Sequence, residues 1–332
     1  MHLITGSDGR LEIRSGPKPQ RVATFADDVL AGLSANPKQL ASKYFYDELG
    51  SALFDAITVL PEYYLTRAET AILREWGWEM VRAIGNPIEF VELGSGSAVK
   101  TRILIEEALR VQRTLRYSPI DISGEALRAS ATSLVAAYPA LTVRAFEGDY
   151  FSMLGTPELR TTGKVLAMFM GSNVGNYEPP AAIELLSAVR KMLKPGDGLL
   201  LGADLKKDPR VLQLAYDDPA GVTAAFNKNL LGRINRELGG RFDLSQFEHV
   251  AEYDEKRGCV ASYLRSRRAQ QVRIEALDIA VQFAEGERIH TESSYKYSND
   301  DLKALGNAAG LNLARTWTDS QERFSVNLYT PA

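Results

Sequence analysis

Apolar runs alternating with helical stretches set the rhythm of the chain from about residue 69 to 205. Apolar spacing of three and four predicts helices at 68–84, 101–113, 124–138 and 180–193, the last stopping before Pro195-Gly196. Buried runs between them predict strands at 88–93, 116–120, 141–146, 165–170 and 198–203. Strands that recur with helices between them imply an α/β fold with a parallel, doubly wound, Rossmann-like sheet. From 206 to 296 the pattern changes. Helices at 210–214 and 223–238 lead into runs at 259–265, 271–277 and 279–283, whose period-two alternation predicts antiparallel strands. A helix at 300–309 and a run at 324–329 return to the first sheet as its last elements. Residues 22–67 read as helical and carry two Tyr-rich spots. The expected division is one domain of 69–205 with 297–332, and an inserted α+β domain of 15–68 with 206–296.

The strand at 88–93 runs straight into Glu92-Leu-Gly-Ser-Gly96. Gly94 and Gly96 lack β-carbons, so their amides allow a ligand close approach. A dinucleotide fingerprint wants a third glycine, and Val99 stands there instead. The acidic Glu92 two residues before the first glycine is the arrangement of S-adenosylmethionine (SAM) methyltransferases, where a cationic ligand replaces a pyrophosphate. An ordinary tight turn between strand and helix is the bland alternative. Asp121 ends the second strand of the unit, where a carboxylate can accept both ribose hydroxyls, or else sits before a helix start at Gly124. Asp149, after the third strand, can take an adenine amino group with Tyr150 packing nearby, or form an Asx turn. After the fourth strand, Met170-Gly-Ser-Asn-Val-Gly-Asn176 is a polar loop at a carboxyl strand end, where open α/β sheets bind ligands. Asn176 offers a donor and an acceptor together, although a loop asparagine alone is more often a turn former.

Composition narrows the partners. With 39 basic and 42 acidic residues well mixed and a net charge of −3, the chain has neither a nucleic-acid footprint nor a polybasic membrane patch. The single cysteine, Cys259, excludes an intrachain disulfide and fits a reducing compartment. No apolar leader opens the chain and no window reaches the length of a membrane span, so a cytoplasmic monomer acting on a small molecule is expected. Histidines occur only at 2, 249 and 290, without paired spacing, so no metal is assigned.

Six stretches in order carry a family resemblance: Lys43-Tyr-Phe-Tyr-Asp-Glu-Leu-Gly-Ser51, Leu60-Pro-Glu-Tyr-Tyr-Leu-Thr-Arg67, Glu92-Leu-Gly-Ser-Gly96, Gly171-Ser-Asn-Val-Gly-Asn176, Tyr216-Asp-Asp-Pro219 and Thr291-Glu-Ser-Ser294. From about residue 40 onward the chain resembles the L-histidine Nα-methyltransferases of ergothioneine biosynthesis. The resemblance implies a class I SAM-dependent methyltransferase sheet with a substrate-binding insertion. It also implies SAM as cofactor and three methylations of the α-amino group of histidine to hercynine. Position by position, Tyr63, Glu292 and Ser294 resemble the imidazole-binding set. Asn176, Gly171 and Tyr216 resemble the groups holding the amino-acid head, with Tyr46 near the amine. Glu92, Gly94, Gly96, Lys100, Asp121, Asp149 and Tyr150 fall on the SAM site. Ser262 departs from the family, standing where an apolar methionine is expected, and this opens the side-chain preference.

A carboxylate beside a hydroxyl can take one ring nitrogen as donor and the other as acceptor, which selects imidazole over phenol or benzyl. Sites built for such pairing reject ligands lacking it by about 10⁴ in favourable cases. Glu292 and Ser294, two apart on a strand, point to one face. Without the family, solvent-facing strand residues would be the simpler reading. The chemistry expected is in-line methyl transfer to a neutral amine, with Tyr46 and Asn176 orienting its lone pair, room for methyl groups beside Tyr46, and domain closure on binding. The rival classes are a dehydrogenase, a non-catalytic SAM- or amino-acid-binding module, and a relative that methylates a tryptophan derivative or tyrosine.

Overall fold

Strands buried along their whole length can only lie inside a sheet covered on both faces, and Gly198–Asp204 is buried at all seven positions. In the computed structural model, which describes residues 3–5, 9–15, 24–156, 159 and 163–332, that strand belongs to a nine-stranded sheet. Its spatial order is Leu3–Thr5, Leu11–Ser15, Leu141–Glu147, Leu115–Asp121, Ile88–Leu93, Lys164–Phe169, Gly198–Asp204, Phe324–Pro331 and Leu311–Thr318. Pairings from Leu11–Ser15 across to Gly198–Asp204 are parallel, and the last two strands join antiparallel. The chain winds outward from Ile88–Leu93 on one side and then crosses to the other. The switch point, where open sheets place their ligands, is therefore at the carboxyl end of Ile88–Leu93.

The sheet belongs to a first unit formed by the described residues of Met1–Gln20, with Arg67–Lys206 and Tyr297–Ala332. Its helices agree with the sequence periodicity to within a few residues, for instance Thr101–Val111 and Gly124–Ala137. Strands toward both sides of the sheet were not expected. Leu11–Ser15 pairs in parallel with Leu141–Glu147, Ser15 opposite Glu147, and Leu311–Thr318 closes the other side. Both of these strands show a broken burial pattern, so alternation could not reveal them.

The second unit comprises the described residues of Arg21–Thr66 with Lys207–Lys296. Four strands, Lys38–Gln39, Arg288–Tyr295, Cys259–Ser266 and Phe247–Asp254, form one sheet in that order. The run expected at 271–277 ends early, because Asp278 adopts a left-handed conformation (φ 49°) and turns a hairpin between Gln270–Ile274 and Ile279–Phe283. Phe45, Phe226, Leu230, Ile234, Phe247, Leu264 and Ile289 share one apolar core. In the central pair Ser262 lies opposite Glu292 and Val260 opposite Ser294, with a register shift between Ser262 and Tyr263. Thr291 sits at that shift and donates its hydroxyl to the Ser262 carbonyl at 3.0 Å. Such a bulge re-aims the residues beside it.

Asp47 ties two helices of this unit together. Its carboxylate accepts the Gly50 amide at 2.7 Å, capping Glu48–Thr58, and also bonds Asn229 at 2.7 Å and Arg236 on Val222–Leu238. Partial burial opposes its charge, but these donors outweigh it and hold the carboxyl below the usual range. Stability from Asp47 is thus present above about pH 4 and lost as pH falls through its lowered pKa. Asp47→Ala is expected to cost about 1–2 kcal/mol in urea unfolding at neutral pH, with the difference from wild type shrinking in strong acid.

Candidate active site

The loop after Ile88–Leu93 is built around left-handed residues. Gly94, Gly96 and Ala98 have φ of 71°, 49° and 53°. A β-carbon on Gly94 would come within 2.6 Å of the Tyr150 hydroxyl, so only glycine fits beneath that ring. The Gly96 amide donates to Asp121 at 2.8 Å, and the Ser123 amide reaches its other oxygen at 2.9 Å. Burial nevertheless pushes the Asp121 carboxyl up, against the hydrogen bonds from Ser123 and Gly96. Asp149 is exposed and caps the short helix Tyr150–Leu154, accepting from the Ser152 amide at 3.0 Å. Tyr150 stands edge-on to Phe169 with ring centroids 5.7 Å apart.

Glu92 faces inward. Both its oxygens accept from the Thr101 hydroxyl at 2.8 Å, and Tyr117 donates to it as well. Desolvation pushes its carboxyl up to about 7 in spite of these donors and Lys100. Its direct partners are thus interior hydroxyls that pin Thr101–Val111 and Leu115–Asp121 around the glycine loop.

The loop from Met170 to Asn176 is held by a residue that sequence reading passed over. Glu69 is fully buried, accepts the Gly171 amide with both oxygens at 2.8 and 3.1 Å, and pairs with the Lys100 ammonium. One carboxylate thereby fixes Lys100 and the left-handed pair Gly171 and Ser172 (φ 75° and 57°). The Ser172 hydroxyl accepts the Asp204 amide at 3.0 Å. Asn176, at the loop's end, is exposed and makes no side-chain hydrogen bond among the described residues.

In the second unit the polar residues cluster more tightly. Tyr216 and Ser294 share a hydroxyl–hydroxyl bond of 2.8 Å. Lys296 donates to both, at 2.6 Å to Tyr216 and 2.8 Å to Ser294. Lys296 lies on the same face two residues beyond Ser294, where its own amide still continues the ladder to the Gly258 carbonyl at 2.7 Å. Alternation could have reached it, but lysine reads as surface. His249 is buried and clamps Tyr216 from behind. Its Nδ1 accepts from Asn227 at 2.7 Å, leaving Nε2–H to donate to the Tyr216 carbonyl at 2.8 Å.

Glu292, on the Ser294 and Lys296 face, has no hydrogen-bond partner among the described residues. One edge of it reaches the surface, yet desolvation pushes its carboxyl up to about 7, opposed by the charge of Lys296. Directly across the strands Ser262 is buried and presents only a hydroxymethyl. Tyr63 meets Tyr216 at 6.5 Å between ring centroids and Phe54 at 6.2 Å, while Tyr46, 41% exposed, packs on Phe54 and Phe226 at 5.5 and 5.7 Å. Each unit thus assembles its own part of the expected set. Gly94, Gly96, Asp121 and Tyr150 meet in the first, and Tyr63, Tyr216, Glu292, Ser294 and Ser262 in the second.

The first set fits SAM. Gly96 has open space where a β-carbon would stand, a cation stands at Lys100, and carboxylates end successive strands. Among the described residues no cluster of three or more His, Cys, Asp or Glu could hold a metal, and no helix is long and apolar enough to cross a membrane.

Comparison with known proteins bears directly on this geometry. The pattern of the family described as histidine-specific methyltransferase, SAM-dependent, matches residues 25–331. A histidine N-alpha-methyltransferase of Mycolicibacterium smegmatis is 45% identical over 91% of this chain and 93% of its own. That of Mycobacterium tuberculosis is 44% identical over the same shares. Ergothioneine biosynthesis protein 1 of Neurospora crassa is 31% identical over 86% of this chain and 32% of its own length.

Removing one member of a buried ion pair strands the other charge. Glu69→Ala is therefore expected to cost about 2–4 kcal/mol in urea unfolding and to weaken SAM binding in calorimetry. Gly94→Ala should weaken SAM about tenfold or more, since both its φ and the contact with Tyr150 resist a side chain.

Proposed function

The chain belongs to the histidine-specific, SAM-dependent methyltransferases, and from that premise we propose that it methylates the α-amino nitrogen of L-histidine three times, yielding hercynine for ergothioneine biosynthesis. The observation that carries the substrate reading is Glu292 beside Ser294. A carboxylate with no donor of its own among the described residues, partly withdrawn from water and two residues from a hydroxyl on the same face, is poised for a ring that brings an N–H and a bare nitrogen together.

In the first unit Lys100 is suited to the methionyl carboxylate, Asp121 to the ribose hydroxyls, and Asp149 with Tyr150 to the adenine, over the floor made by Gly94 and Gly96. Glu92 holds that floor from within. When bound, SAM supplies a methyl group already activated on a sulfonium, so the chain's own work is positioning and exclusion of water. Asn176, Gly171 and Tyr216 take the carboxylate and ammonium of the amino acid, and Tyr46 with Asn176 orients the amine lone pair. A peptide-like α-amine titrates near about 8, so most substrate arrives protonated and must release a proton to water before reacting. None of the placed side chains is a strong base for that proton. Tyr63 closes on the ring edge, and Ser262 puts a small polar side chain across from Glu292.

Mass spectrometry after incubation with SAM and a panel of histidine, tryptophan, tyrosine and phenylalanine should find histidine carrying three methyl groups and the others unchanged. A different methylated amino acid would overturn the imidazole assignment, and the absence of any product would leave only a binding module. Asn176→Ala should weaken histidine about tenfold or more and leave SAM affinity intact. With Glu292 at about 7, lowering the pH protonates the acceptor of the ring N–H, so histidine affinity should fall below about pH 7. In Glu292→Gln affinity should be about 10–100-fold weaker at pH 8, and the remaining acid limb should follow only the substrate ring.

A further inference from the structure

Lys296 is 2% exposed and sits at the end of a stripe, Glu292, Ser294 and Lys296, that extended backbone places on one face. Its ammonium donates to Tyr216 and Ser294 and lies 4.4 Å from the centre of the Tyr216 ring. Hydroxyl chemistry makes this arrangement directional. A serine oxygen has one proton and two lone pairs, whereas a phenol is the stronger acid and the weaker acceptor. Either hydroxyl of the pair, 2.8 Å apart, can donate, and the difference in acidity favours Tyr216 as the donor to Ser294. Ser294 then accepts from Tyr216 and from Lys296, and both its lone pairs are used. All that Ser294 can offer a ligand is its O–H.

We propose that Lys296 is the specificity-determining positioning residue of the ring subsite: it makes Ser294 an obligate donor, complementary to the acceptor Glu292, so that the pair reads a neutral imidazole in one tautomer. This rests on the imidazole reading above and deepens it. A neutral imidazole has one N–H and one bare nitrogen. Glu292 can only accept the first, and Ser294, so constrained, can only serve the second. An imidazolium carries two N–H groups and would face the Ser294 proton as well as the lysine charge. A benzyl or thienyl ring would leave the carboxylate and the hydroxyl unmatched. Without Lys296, Ser294 regains a free lone pair and can turn its proton elsewhere, and the subsite loses its polarity without losing either named residue. Same-face positions are about 7 Å apart along a strand, so Glu292 and Ser294 can address opposite edges of one ring.

The test is a double-mutant cycle with Lys296→Met and Ser294→Ala, read as kcat and KM for L-histidine and as the calorimetric dissociation constant of β-(2-thienyl)alanine, whose ring offers neither hydrogen bond. Turnover of histidine by the wild type checks the underlying reading separately, and its absence would sink that reading first. Given turnover, Lys296→Met is expected to raise the histidine KM about 10–100-fold with a much smaller change in kcat. The thienylalanine dissociation constant should stay within about threefold and the affinity for SAM should not change. In the Ser294→Ala background the same substitution should cost less than about threefold, because the hydroxyl it acts through is gone. Equal penalties in both backgrounds, or equal losses for the two amino acids, would make Lys296 a structural brace and overturn the proposal. Should Lys296→Met not fold, Lys296→Leu, which likewise carries no N–H donor, takes its place under the same criteria.

Discussion

A carboxylate withdrawn from water has to be balanced, and the way each of three buried or half-buried glutamates meets that demand organises this molecule. Glu92 is matched by the hydroxyls of Thr101 and Tyr117 and is spent on the interior of the first unit. Glu69 is matched by a backbone amide and an ammonium, so its charge is used to pin the loop that begins at Gly171. Glu292 has no hydrogen bond among the described residues, only the charge of Lys296 at a distance. The first two hold structure. The third retains its hydrogen-bonding capacity, and a ligand bringing an N–H satisfies it.

The two scaffolds present these groups by different devices. In the parallel sheet the reversal of strand order at Ile88–Leu93 leaves a crevice at strand ends, and left-handed residues keep the backbone low enough to line it. In the four-stranded sheet the placement comes from strand alternation. There the register shift at Thr291 sets the phase of the strand, after which plain alternation delivers Glu292, Ser294 and Lys296 to one face. His249 adds a brace of the same kind, holding the Tyr216 backbone in place through a single neutral tautomer.

What the sequence disclosed follows from how local each cue is. Gly198–Asp204 and Ile88–Leu93 are buried nearly end to end, and their apolar runs were legible to within a residue or so. Leu11–Ser15 has a single buried position, Ile13, and Leu311–Thr318 alternates irregularly, so neither strand could be read from pattern. Among the polar positions, Glu292 and Ser294 were legible only through their neighbours in a known family, since strand glutamates usually face water. Glu69 was not legible at all. It lies in a helix, and the amide it serves is 102 residues away. Lys296 was hidden by its type, because a lysine at 2% exposure contradicts the ordinary expectation that such residues are solvated.

Three transfers to one nitrogen impose a further demand on the proposed site. The amine loses a hydrogen-bond donor with each methyl group and ends as a permanent cation with none, so binding energy placed on its N–H groups would decline along the series. Energy placed on parts of the substrate that do not change is available in every round. The polar residues assigned to the substrate are disposed accordingly. Lys296 and Ser294 are hydrogen-bonded through Tyr216 and lie with Glu292 on the strand face assigned to the ring, whereas Tyr46 and Asn176, assigned to the amine, are both exposed. A substrate held by its imidazole can be methylated, turn its altered amine and be methylated again with little change in affinity. An enzyme that gripped the amine would bind its first substrate best and its last one worst. The asymmetry between the two ends is therefore what repeated methylation of one nitrogen requires.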